Sequence, residues 1–266
     1  MKFALIGTGF IMPRHAEAIY ALGGKIRSII NTSHGEEAWR EAIKKTDAEY
    51  VVILGPNDLH YPIAMAAADA GKVVLSEKPL SIKSEHVREL AKRPNIFTVL
   101  QLHHHPLVKQ LEKEISPNKQ YKIEMDISVH RDEHYYKSWK GELTRSGGVL
   151  VNLGIHYFDI LVHLFGKPER AVLTYLDDKT GIGTLEGKNY FCNFKVSTGA
   201  ERNNQRRVFK INNVDYNFSS KDNLSYENLH TDVYRDLIRG LGATPAMVLP
   251  SVELIEELYR TKGVYV

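Results

Sequence analysis

The amino-acid sequence predicts an α/β protein of two domains: a parallel sheet wrapped by helices, then an α+β domain with an open, mainly antiparallel sheet. Two observations predict it. Up to Leu100, short runs rich in Val, Ile and Leu alternate with amphipathic stretches of helix length, as βαβ units require. From Arg170 to Phe218, strand-like runs follow one another with no helix between them, which implies antiparallel pairing. The 266 residues suffice for two domains of ordinary size, placed at 1–104 and 105–266.

The first element is an apolar strand, Lys2 to Ile6, followed by Gly7, Thr8, Gly9, a helix over about Ile11 to Ala21 and a second strand, Ile26 to Ile30. A strand that ends in Gly-x-Gly and opens a helix aims backbone N–H groups and the positive end of the helix dipole at one point. Gly7 permits the tight turn, and Gly9 lets a pyrophosphate approach the backbone. The unit therefore reads as a Rossmann-type dinucleotide site. Met12 stands where the fingerprint's third glycine falls. No Asp or Glu follows the second strand, where enzymes preferring NAD hold the ribose 2′-hydroxyl. Asn31 can bond a ribose hydroxyl, while Thr32, Ser33 and Arg14 can tolerate a 2′-phosphate, so NAD and NADP both stay open.

A helix over Glu36 to Lys45 and a buried strand, Tyr50 to Leu54, come next. In the turn Gly55-Pro56-Asn57-Asp58-Leu59-His60, Pro56 stops the strand, and Asn57 or Asp58 caps a helix from about Pro62 to Ala70. The turn falls at the carboxyl ends of the strands, where parallel sheets bind ligands. Strand Val73 to Leu75 runs into Ser76-Glu77-Lys78-Pro79. A lysine at a strand end, pinned by a proline of fixed φ, is a candidate for chemistry. Helix Ser84 to Lys92 and strand Phe97 to Leu100 lead to Gln101-Leu102-His103-His104-His105. Consecutive histidines in an extended segment point to opposite faces, and no carboxylate or thiolate is placed to complete a metal site, so no metal is expected. Gln101 and His103 read as ligand contacts.

In the second half, Tyr121 to Val129 alternates as a strand, and Arg131 to Gly141 forms an aromatic and basic loop with Tyr135, Tyr136, Lys137, Trp139 and Lys140. Rigid rings and cations together suit an anionic ligand. Gly147 and Gly148 introduce a helix, Val151 to Phe165, that carries Asn152, His156, Asp159 and His163. Spacings of four, three and four place these on one face of an otherwise apolar helix. Such a stripe lines a ligand or a hydrogen-bonded network. Strands are expected at Ala171–Tyr175, Thr184–Glu186, Tyr190–Val196, Arg207–Ile211 and Val214–Phe218, with a hairpin turn at Asn212-Asn213. Helices over His230 to Arg239 and Val252 to Thr261 follow.

Composition narrows the class. With 43% hydrophobic and 25% charged residues the chain reads as globular, and a net charge of +3 spread over scattered Lys and Arg excludes nucleic acid as a partner. The single cysteine, Cys192, excludes an internal disulfide. No apolar run approaches the roughly 18 residues of a membrane helix, and no cleavable signal is read, so a cytoplasmic location is expected.

Gly7-x-Gly9, Pro56-Asn57-x-x-His60, Glu77-Lys78-Pro79 and Gly154-x-His156 in this order resemble the glucose-fructose oxidoreductase, inositol dehydrogenase and MocA superfamily over essentially the whole chain. That resemblance implies NAD(P)-dependent hydride transfer at a sugar hydroxyl. Leu100-Gln101-Leu102-x-His104-His105, Tyr136-x-Ser138-Trp139-Lys140-Gly141 and Asn152-x-Gly154-x-His156-Tyr157-Phe158-Asp159 are similar to the WlbA-type branch. Those enzymes are UDP-N-acetylglucosaminuronate 3-dehydrogenases of bacterial surface-polysaccharide (lipopolysaccharide, O-antigen) synthesis. By this likeness Lys78 and His156, with Asn152, carry the chemistry, and either of the first two takes the proton. Cofactor contacts fall on Gly7, Gly9, Phe10, Ile11, Asn31, Pro56, Asn57, His60, Glu77, Lys78 and Gln101, with NAD favoured by the resemblance. Contacts to an anionic nucleotide sugar fall on Lys78, His103, Arg131, Tyr135, Lys137, Trp139, Lys140, Asn152, His156 and Asp159. A homo-oligomer, dimer or tetramer, through the carboxy-terminal sheet is implied. Other readings are a dehydrogenase of a different sugar or polyol, an NAD(P)-binding regulator without turnover, and a structural partner in polysaccharide synthesis.

Overall fold

In the computed structural model, which describes residues 1–219 and 229–265, the early alternation becomes a parallel sheet. Its elements are β1 (Lys2–Ile6), α1 (Met12–Ala21), β2 (Lys25–Ile30), α2 (Glu36–Lys45), β3 (Tyr50–Ile53), α3 (Asn57–Asp69), β4 (Val73–Ser76), α4 (Ser84–Leu90) and β5 (Ile96–Thr98). The strand order is β2-β1-β3-β4-β5, and every pair is parallel. The chain leaves β1 first to one side and then to the other. This makes the carboxyl end of β1 the topological switch point at which open α/β sheets bind ligands.

The second sheet is mixed. After α5 (Pro106–Glu114) come β6 (Tyr121–Ser128), α6 (Glu133–Lys137), α7 (Leu143–Ser146), α8 (Ile155–Phe165), β7 (Arg170–Leu176), β8 (Thr180–Gly187), β9 (Tyr190–Ser197), β10 (Arg206–Ile211) and β11 (Val214–Asn217). Their order is β11-β10-β6-β9-β8-β7. Only β6 and β9 pair in parallel, because β6, made before α8, inserts between two later strands; the other pairs are antiparallel. One face carries α8, with the Phe158 and Phe194 rings edge to face at 5.1 Å. Phe191, 42% exposed, lies on the opposite face, and alternate residues of β9 point each way. Cys192 is fully buried on the inner side, and burial pushes its thiol up. Asn212 and Asn213 adopt φ of 47° and 70°, the left-handed pair that closes the expected hairpin.

The helices α9 (Leu229–Ile238) and α10 (Pro245–Arg260) complete the described elements. The chain divides into two units, Met1–Gln101 with Ser225–Leu249, and Leu102–Leu224 with Pro250–Val266. The boundary expected after His104 thus falls after Gln101, and the second domain is interrupted. The reason is apolar burial: Val233, Tyr234 and Leu237 of α9 join Phe3, Leu5, Val52 and Phe97 in the core of the first unit.

Three local expectations are corrected. The helix placed at Pro62 begins at Asn57, so Asn57 and Asp58 lie inside its first turn and Pro56 holds the N-cap position. The helix placed at Val151 is preceded by a π-helical turn, Leu150–Gly154. The continuous run Leu143–Phe165 is, at 23 residues and mean hydropathy 1.5, long and apolar enough to cross a membrane by length and composition. More than half of its most apolar part is instead buried inside the protein, as in a core helix.

Candidate functional site

In the first unit the phosphate turn requires glycine for two different reasons. Gly7 has φ of +119°, and a Cβ there would lie 2.5 Å from the Leu54 carbonyl carbon. At Gly9 a Cβ would meet only Leu54 O, at 3.9 Å, so the space over that residue is open. Helix α1 begins directly afterwards, with Ile11 at the N-cap and no side-chain cap. Its first N–H groups are engaged within the turn, Met12 N–H donating to Gly9 O and Arg14 N–H to Ile11 O, both at 3.1 Å, and Pro13 has no N–H. Phe10, 79% exposed, stands beside the turn. Gln101 Oε1 is buried with no hydrogen-bond partner among the described residues, which is costly unless a ligand supplies one. These features fit a dinucleotide: Gly7, Gly9, Phe10 and Ile11 would hold its pyrophosphate. Asn31 caps the Thr32–His34 turn by accepting from Ser33 N at 3.0 Å, so it offers a ribose its amide N–H.

The Pro56-Asn57-x-x-His60 segment serves the architecture. Asn57 and His60 are 4% and 1% exposed. His60 Nδ1 donates to Pro79 O at 2.6 Å, and Nε2 lies 3.0 Å from Gly55 O, tying two loops together. Burial pushes the His60 pKa down against the pull of those carbonyls. Lys78 follows β4 and is half-buried, with its backbone N–H donated to Glu77 Oε2 at 3.1 Å. Glu77 is buried, and Oε1 accepts from His15 Nε2 at 2.9 Å. Burial alone would raise its pKa, but the hydrogen bond from His15 and the pairing with His230 hold it well below the usual carboxylate range.

His15, His230 and Tyr234 were missed by sequence reasoning. The only signal was a histidine on the buried face of α1, in register with Ala18 and Ile19.

In the second unit the polar stripe divides. Asn152 Nδ2 donates to the Tyr135 hydroxyl at 2.6 Å. Arg131 Cζ and Lys140 Nζ each lie 5.4 Å from the Tyr135 ring centroid, so two cations share one aromatic ring. Burial and then the Arg131 charge push the Lys140 pKa down. Tyr157, pushed up to about 12 by burial, has beside it the charge of Arg207 of β10, which pulls the other way, a third cation that the sequence reading passed over. Lys137 does not join them; it pairs with Glu133 in solvent at 3.1 Å. Trp139 is half-buried, with Lys140 Nζ 5.7 Å from its ring. His156 is half-buried on α8, one turn beyond Asn152.

Further along, the stripe becomes structural. Asp159 is 3% exposed; its Oδ2 accepts from His103 Nε2 at 2.6 Å and its Oδ1 from Ser251 at 2.9 Å. It therefore acts through His103, and does not face a ligand itself. His163 pairs with Glu112 at 2.7 Å. The three consecutive histidines diverge: His103 turns to Asp159 while His105 caps α5 by accepting from Leu107 N.

Profiles of the Gfo/Idh/MocA oxidoreductase family match both units: the NAD-binding Rossmann fold over residues 1–95 and the C-terminal α/β domain over 112–192. The chain belongs to the Gfo/Idh/MocA oxidoreductase family. Among solved structures it is similar to the WlbA (WbpB) dehydrogenase of Thermus thermophilus in complex with NAD and α-ketoglutarate, at TM-score 0.86 and 26% identity, covering 98% of this chain and 95% of that one. The same enzyme with NAD and UDP-GlcNAcA aligns at TM-score 0.84 and 26% identity over 96% and 93% of the two chains. Among curated relatives, the NADP-dependent scyllo-inositol 2-dehydrogenase IolW of Bacillus subtilis is 27% identical over 52% of this chain and 40% of its own. Inositol 2-dehydrogenase of Rhizobium meliloti is 26% identical over 65% and 57%. The chain thus spans about half the length of these curated relatives. Gly7 and Gly9 belong to the family's NAD-binding domain, and Asn152 and His156 to its C-terminal domain.

Proposed function

We propose that this family member is an NAD(P)-dependent dehydrogenase that oxidises the 3-hydroxyl of a UDP-N-acetylglucosaminuronate-like nucleotide sugar to the 3-keto sugar. The observation that carries this reading is the sharing of the Tyr135 ring by Arg131 and Lys140, with the Tyr135 hydroxyl bonded to Asn152 one turn from His156. A neutral polyol gives two juxtaposed cations nothing to bind; a uronate or a diphosphate does.

The bound nicotinamide supplies a hydride acceptor. A carbon-bound hydride leaves readily only as the oxygen on that carbon loses its proton, so the protein must provide a base and a positive charge. His156 takes the base role, and the Lys78 ammonium donates to the oxygen and offsets the charge that grows there. Arg131 and Lys140 orient the anionic part of the substrate.

Dehydrogenation of a neutral polyol is the second reading, favoured by the inositol dehydrogenases among the curated relatives. A screen of UDP-uronates and inositols against NAD and NADP, followed at 340 nm, separates the two. Turnover of UDP-N-acetylglucosaminuronate that is abolished by Lys78→Met, with cofactor binding retained, is the result expected. Turnover of inositols alone would overturn the substrate assignment, and an active Lys78→Met enzyme the assignment of Lys78.

A further inference from the structure

The loop that carries Lys78 is gripped by buried side chains for which the proposed reaction has no direct use. Tyr234 of α9 lies 2.8 Å from His15 Nδ1, His15 Nε2 lies 2.9 Å from Glu77 Oε1, and Glu77 Oε2 accepts the Lys78 backbone N–H at 3.1 Å. Tyr234 and His15 are fully buried and Glu77 is 8% exposed. Chemistry fixes the direction of this chain. An ionised carboxylate only accepts, so His15 carries its proton on Nε2; a neutral imidazole then accepts at Nδ1, and the Tyr234 hydroxyl donates to it. On the other side of Lys78, Pro79 O accepts from His60. The residues before and after the lysine are thus both fixed by buried imidazoles, and one of these lies on the helix that opens at the phosphate turn.

We propose that Tyr234 and His15 are positioning residues: their hydrogen-bond chain keeps the Glu77 carboxylate aimed at the Lys78 amide, and so holds the lysine in its working conformation. This rests on the role given to Lys78 above. A buried hydrogen-bonded pair formed only for stability has no reason to spend its second carboxylate oxygen on the backbone of the residue that does the chemistry. His15, Glu77 and His230 also bring ligand atoms within 4.8 Å of one another, close enough for a metal ion. Both His15 nitrogens are, however, already engaged by Tyr234 and Glu77, while His230, its ring nitrogens buried without a hydrogen-bond partner among the described residues, sits with Nε2 3.7 Å from Glu77 Oε1.

The test compares Tyr234→Phe, His15→Gln, His15→Leu and Lys78→Met with the unaltered chain, using UDP-N-acetylglucosaminuronate and NAD. In Tyr234→Phe and His15→Leu, kcat is expected to fall about tenfold, with the Kd for NADH within about twofold of normal. His15→Gln, whose amide still donates to Glu77, recovers much of the loss. A second readout needs neither cofactor nor sugar: acetylation of Lys78, followed by peptide mass spectrometry with exposed Lys45 as the internal standard, accelerates about threefold or more in Tyr234→Phe as the loop loosens. Should His15→Leu fail to fold, Tyr234→Phe carries the test, since it removes one hydroxyl and keeps the shape. Normal kcat and normal Lys78 acetylation in Tyr234→Phe beside an inactive Lys78→Met would overturn the positioning role and leave the reaction standing. An active Lys78→Met would instead remove the reading beneath it. A stoichiometric metal ion, lost in His230→Ala, would also overturn the hydrogen-bond chain.

Discussion

Asn152 Nδ2 donates to the Tyr135 hydroxyl at 2.6 Å, tying the π-helical turn before α8 to the basic segment at α6. Removing the acceptor with Tyr135→Phe leaves the Asn152 amide short of a partner, at a cost of about 1 kcal/mol. The KM for the nucleotide sugar should rise about fivefold, with the NADH affinity unchanged. Initial rates at 340 nm and NADH fluorescence titration measure the two quantities. Equal losses in both would mean that the pair supports the fold and not the substrate.

Charge makes a separate prediction. Arg131 is exposed and Lys140 half-buried, so their attraction for an anion is partly screened by salt. Replacing both with Ala should raise the KM for a UDP-uronate at least about tenfold and flatten its increase between about 50 and about 300 mM salt. A neutral polyol, if turned over at all, should show neither effect.

Gly7 and Gly9 should fail differently when changed to Ala. At Gly7 the new Cβ meets the Leu54 backbone at 2.5 Å with φ in the left-handed region, so Gly7→Ala should destabilise the fold by a few kcal/mol, on the order of a large backbone defect. Gly9→Ala finds open space and should melt normally while losing NADH affinity about tenfold or more, because the methyl stands where the pyrophosphate approaches. Thermal melting and fluorescence titration on both variants distinguish the two behaviours.

The parts that could be read in advance were local. Gly7, Gly9 and Lys78 announce themselves through neighbours in sequence, and the helical spacing of Asn152, His156, Asp159 and His163 placed them on one face. What spacing cannot reveal is the partner. Asp159 looked like a ligand contact until Ser251, 92 residues away, took one of its oxygens. His15 looked like one more residue of an amphipathic helix, yet its ring bonds Tyr234 across 219 residues. The return of α9 to the first unit escaped for the same reason. Apolar periodicity says that Val233 and Leu237 are buried, and nothing in it says against which sheet.

Acid stability tests the proton arrangement around Glu77. Burial, against the pull of Glu77, lowers the His15 pKa from its ordinary 6.5, and burial likewise lowers that of His60. The unfolded chain therefore takes up protons at these histidines that the folded chain refuses. Their contribution to stability is present above pH 6.5 and is lost as pH falls below it. Glu77 acts in the same direction in a lower window. Its folded pKa lies well below the ordinary 4.5, so its contribution is lost only as pH falls beneath that value. Between about pH 7.5 and about pH 5.5 the melting temperature should thus drop by several degrees, through the histidines and not the carboxylate. In His15→Gln part of that slope should vanish. A melting temperature that rises as pH falls through this range, and rises less in His15→Gln, would mean that the folded state keeps His15 protonated. Tyr234 would then accept from His15 Nδ1, and the chain of donors running from Tyr234 through His15 to Glu77 would be broken at its first link.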